Sequence, residues 1–140
     1  MAADVCGHAD AGATALREAK YAWAGQLRAS GDRDRALKLY KELASDVKTR
    51  EGSEAAYYVI EALFESGDLD KTESEVFAFS DREPNAYWLA KAFLLLGDVY
   101  VRKGDTFQAR ATYQSVADGY SPADDGIVDE AKERIAKLKN

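Results

Sequence analysis

Proline, cysteine and histidine are all scarce in this chain. Its 140 residues hold two prolines, Pro84 and Pro122, one cysteine, Cys6, and one histidine, His8. So little proline leaves long helices uninterrupted. A single cysteine forms no internal disulfide. One Cys and one His fall short of the roughly four ligands of a structural zinc site, so both read as part of a solvated lead-in. Positive charge is short too: 19 Lys and Arg against 25 Asp and Glu leave a net charge of −6. Nucleic-acid binding needs a basic footprint, and attraction to anionic lipid needs basic clusters; neither is present. No apolar run approaches the roughly 18 to 20 residues of a membrane span. The longest, Ala92 to Gly97, is flanked by Lys91 and Asp98. The first residues lack the basic start and apolar stretch of a secretory signal.

Catalytic signatures are missing as well. There is no Walker loop, no Gly-x-Ser-x-Gly elbow and no His-Glu-x-x-His pair. With His8 in the lead-in, a Ser-His or Cys-His dyad lacks a fixed base. Glu61 and Glu65 share a helix face at i, i+4, which reads as a solvated acidic surface. Asp124-Asp125-Gly126 lacks the ligand spacing of a calcium-binding EF-hand loop. No enzyme activity, cofactor or metal site is expected.

What the chain does contain is a repeat. Hydrophobic residues make up 46% and charged residues 31%, enough to bury a core. Gly31-Asp32, Gly67-Asp68 and Gly104-Asp105 each close one helical pattern and open the next. Glycine suits the left-handed residue that ends a helix, and aspartate suits the N-cap of its successor. With each Gly-Asp at positions 15 and 16 of a 34-residue frame, the repeats run 17–50, 53–86 and 90–123. Position 8 then holds Ala24, Ile60 and Gly97; position 11 holds Leu27, Leu63 and Tyr100. Position 20 holds Ala36, Thr72 and Ala109, and position 24 holds Tyr40, Val76 and Tyr113. Glu51-Gly52 and Tyr87 to Leu89 lie between frames and are expected to lengthen the helices there.

On these residues the chain resembles the tetratricopeptide repeat (TPR) family over residues 17–123. The third repeat matches best; the second departs at Ile60, Thr72 and Val76. The resemblance implies an all-α fold of three antiparallel helical hairpins stacked as a right-handed α-solenoid. Residues 1–13 are expected to form a flexible lead-in to a single domain, 14–140. A last helix over 124–139, with Ile127, Ala131, Ile135 and Leu138 as its apolar stripe, is expected to cap the array. Asp124 and Asp125 are expected to cap its start, with Lys137 and Lys139 at its end. The closing residues, from Tyr87, are also similar to the end of longer bacterial TPR proteins, some of them envelope proteins. That implies a cytoplasmic or periplasmic setting without direct membrane insertion.

In the family, positions 2, 5, 9, 12 and 13 line a concave groove. Here they include Tyr21 and Arg28; Glu54, Tyr57, Glu61, Phe64 and Glu65; then Lys91, Asp98 and Arg102. Glu18, Gly25, Ala29, Leu94 and Val101 complete the set. The Asn and Lys set that clamps a C-terminal carboxylate in chaperone-binding TPRs is missing from them. The resemblance thus implies a protein-protein interaction scaffold holding a partner peptide. Tyr21 and Tyr57 would serve as anchors, and the acidic centre would favour a basic or Ser/Thr-rich ligand. The tyrosines have an alternative role, packing between neighbouring first helices. A second expectation needs no ligand: the uncapped first repeat, around Trp23 and Leu27, packs on a second copy or on more of a longer chain.

Overall fold

A computed structural model describes residues 2–121 and 124–138, with the backbone alone for residues 2–10. Seven helices make up the described residues, and no strand occurs among them. They are α1 (Ala2–Ala29), α2 (Arg33–Leu43), α3 (Arg50–Glu65), α4 (Leu69–Asp81), α5 (Ala86–Arg102), α6 (Thr106–Gly119) and α7 (Ile127–Lys137).

The three Gly-Asp turns are built alike. Gly31, Gly67 and Gly104 have φ of +90°, +89° and +80°. In each turn the Gly N–H and the Asp N–H donate back into the last turn of the preceding helix, as Gly31 does to Arg28 and Asp32 to Leu27. The same aspartates then cap the next helix: Asp32, Asp68 and Asp105 accept from the backbone N–H of Arg35, Lys71 and Gln108. Three-residue connections therefore fold α1 onto α2, α3 onto α4 and α5 onto α6.

Burial follows the repeat frame. The residues at positions 8, 20 and 24 are buried in all three repeats. In the third repeat positions 8 and 24 face each other. Gly97 lies flat against the ring of Tyr113, so close that a Cβ there would overlap it. In the second repeat Ile60 and Val76 hold these positions and belong to the same buried cluster, at 3% and 0% exposure. Thr72 stands where the other repeats have alanine, and its hydroxyl is satisfied by the Asp68 carbonyl at 2.7 Å.

The hairpins are tied to each other at their other ends. Fully buried Ser53 donates to the Val47 carbonyl at 2.6 Å and accepts from the Asn85 N–H at 2.9 Å. Arg82 reaches the carbonyls of Ala44 and Ser45. The between-frame residues do lengthen helices: Glu51 and Gly52 open α3, and Tyr87 to Leu89 lie inside α5.

Two boundaries differ from the sequence expectation. Helix α1 is described from Ala2, so residues 2–13 continue the first helix. Helix α7 starts at Ile127, later than 124, because Gly126 takes the N-cap place with φ +90° and has no side chain to cap with. Asp125 still contributes from one residue further out, accepting the Ile127 N–H at 3.2 Å; Lys139 lies outside the described residues.

Candidate functional site

Helices α1, α3 and α5 carry all ten groove residues named above, and the structure brings most of them into contact across neighbouring helices. Tyr21 on α1 donates its hydroxyl to the Glu54 carboxylate on α3 at 2.8 Å. Two turns on, Arg28 meets Glu61 at 3.5 Å, and Tyr57 donates to the other oxygen of Glu61 at 3.4 Å. Glu65 pairs with Arg33 of α2 at 3.2 Å. On α5, Lys91 lies 3.8 Å from Glu130 of α7. Asp98 takes the Tyr113 hydroxyl and pairs with Arg134 of α7 at 3.3 Å. Arg102 lays its guanidinium 4.3 Å from the centre of the Phe64 ring.

Two findings change how the groove reads. Tyr57 is only 8% exposed and packs on Trp88, ring centres 5.5 Å apart. It is a core residue, which favours its packing role over that of a partner anchor. Glu54 is 9% exposed as well. The second finding concerns charge: Glu54, Glu61, Glu65 and Asp98, four of the five groove carboxylates, already have partners within the chain. The acidic centre that suggests a basic ligand in the sequence is therefore largely answered internally.

The electrostatics follow the same geometry. Burial, then the Glu54 carboxylate, pushes the Tyr21 hydroxyl up to about 12. Burial also raises Tyr57 and Tyr113, each helped by its carboxylate neighbour. The Asp98 carboxyl is raised by burial, against the opposing pull of Tyr113 and Arg134. These tyrosines stay neutral near pH 7 and act as hydrogen-bond donors.

Sequence reasoning missed residues that complete the site. Tyr58 stacks under Arg28, whose guanidinium lies 3.8 Å from its ring centre, and touches Tyr40 at 4.9 Å. The face of α7 contributes Glu130, Arg134 and Lys137; their i, i+4, i+7 spacing was a legible signal. One cavity of about 170 Å³ opens beside Arg28, Arg33, Tyr58, Glu61 and Glu65. A larger one, about 320 Å³, lies where Phe64, Val101, Arg102, Arg134 and Leu138 converge.

Among the described residues there is no cluster of three or more His, Cys, Asp and Glu able to hold a metal ion. The side chains of Cys6 and His8 lie outside the description. No described helix is long and apolar enough to cross a membrane. No family model matches the chain, and no curated protein matches it in sequence.

Proposed function

We propose that the chain is a non-catalytic protein-interaction scaffold of three TPR-like hairpins, stacked as a right-handed α-solenoid and capped by α7. A peptide segment of a partner lies along the concave face of α1, α3 and α5. The observation that carries this reading is the layering of the helices. Helices α1, α3, α5 and α7 pack in succession against one another, whereas α2, α4 and α6 make no contacts among themselves. Crowded odd helices and splayed even helices are what a curved array has on its inner and outer sides.

The test is affinity capture from native extract, comparing the wild type with a Gly25→Glu, Val101→Glu double variant by mass spectrometry. A Cβ at Gly25 meets nothing within 4 Å, and Val101 is 46% exposed, so both changes alter the face without entering the core. A protein held by the wild type and lost by the folded variant supports the reading. The same proteins held by both would remove the concave face from it.

A second reading, self-association, is favoured by one observation on α1. Leu16 and Trp23, 57% and 49% exposed, lie on one face with exposed Ala19 and Ala22 between them. Sedimentation velocity over a range of concentrations checks it. A dimer abolished by Trp23→Glu supports the reading; a monomer throughout overturns it.

A further inference from the structure

Resting on the scaffold reading, we propose that the C-terminal end of the concave face binds an acidic segment of the partner. A carboxylate of Asp or Glu sits against Arg102 and Lys137, and a neighbouring large apolar side chain fills the cavity between α3, α5, α6 and α7. This reverses the ligand charge suggested by the groove carboxylates in the sequence.

The walls of the cavity have the required chemistry. Phe64, Val101 and Leu138 form an apolar surface, and Arg102, Arg134 and Lys137 stand around it. Its volume of about 320 Å³ lies at the small end of the roughly 300–1,000 Å³ range of ligand pockets, enough for a side chain rather than a whole fold. The one carboxylate in the lining, Asp98, is already engaged by Tyr113 and Arg134.

Two cations therefore remain for a ligand. Arg102 has no carboxylate within 4 Å among the described residues and rests on the Phe64 ring instead. Among the described residues Lys137 pairs only with Glu133, one turn away on the same helix, and both side chains are mostly exposed. An exposed pair of this kind is weak, so a ligand carboxylate displaces it cheaply. An apolar side chain seated on Phe64 and Leu138 would also exclude water from Arg102 and strengthen its pairing. The chain's net charge of −6 does not oppose this at close range, because charges beyond about 8 Å are screened at physiological salt.

The experiment selects binders from a phage-displayed library of random twelve-residue peptides on the immobilised full chain. Enriched sequences are expected to carry Asp or Glu within a few positions of Leu, Phe or Trp. A synthetic peptide from that set should bind about tenfold or more weakly to the Arg102→Glu, Lys137→Glu variant. The neutral Arg102→Gln, Lys137→Gln variant should lie between the two, which guards against a fold disturbed by the reversed charges. Enrichment of basic or uncharged peptides overturns the proposal. So does an affinity that both variants leave unchanged; if Gly25→Glu then abolishes it, the scaffold reading survives with its ligand site elsewhere on the face. A library yielding no binder overturns the scaffold reading itself, and this proposal with it.

Discussion

Tyr21 and Glu54 lie 33 residues apart in the chain, yet the hydroxyl of one donates to both oxygens of the other at 2.8 Å. The bond joins the first helix of one repeat to the first helix of the next. It also answers a charge that the packing has nearly removed from water. Arg28 and Glu61, again 33 residues apart, repeat the arrangement two turns along α1. Helices α1 and α3 are thus held together by polar contacts at the repeat interval, in addition to apolar burial.

Tyr21→Phe should lower stability by about 1–3 kcal/mol, because it removes a donor from a carboxylate with little access to water. Urea unfolding of the two chains measures the difference. Equal midpoints would show that Glu54 does not depend on this hydroxyl.

Tyr57→Ala should cost about 3–5 kcal/mol, the range for losing a large buried ring. Denaturant unfolding, followed by circular dichroism, reads it directly. A loss near the few tenths typical of surface sites would return Tyr57 to the partner-facing surface.

Gly97→Ala tests the facing pair at positions 8 and 24. Alanine is the better helix former by about 1 kcal/mol, so propensity alone predicts a more stable chain. The new methyl would overlap the Tyr113 ring, which sits in a filled site, and overpacking of this kind costs about 1–3 kcal/mol. A lower melting temperature is expected. A melting temperature equal to or above that of the wild type would show that the ring moves aside without cost.

Glu73 gives the stability a pH dependence of known sign. The Tyr100 hydroxyl and then Lys103, at 3.1 Å, hold its carboxyl below the ordinary glutamate range. A carboxyl lowered in the folded state stabilises it above its unfolded value of about 4.3, and that contribution is lost as pH falls through the folded value. Between about pH 5.5 and pH 3 the wild type should therefore lose more melting temperature than Glu73→Gln. Parallel curves for the two would mean that the contact does not favour the charged form.

The all-helical fold and its turns were legible in the sequence for a local reason. A Gly-Asp turn needs one residue that tolerates positive φ and one side chain that caps, and both requirements act within a few residues. The burial of Ala24, Ala36, Tyr40 and their counterparts was legible through periodicity, since one helix face must be covered. Even in the odd second repeat, Ile60 and Val76 are buried at the expected positions.

The state of each groove residue was decided only by the tertiary structure. Helical spacing places Tyr57 and Glu61 on one face, but it does not say how closely α5 and its Trp88 press against that face. Nor does it say that Arg28, Arg33 and Arg134, on three other helices, would reach the groove carboxylates. The charge of a surface depends on which side chains meet across space, and those distances are fixed by how the hairpins stack. The repeat and its turns are local and could be read along the chain, while stacking decided which carboxylates are answered and left Arg102 on the Phe64 ring beside an apolar cavity.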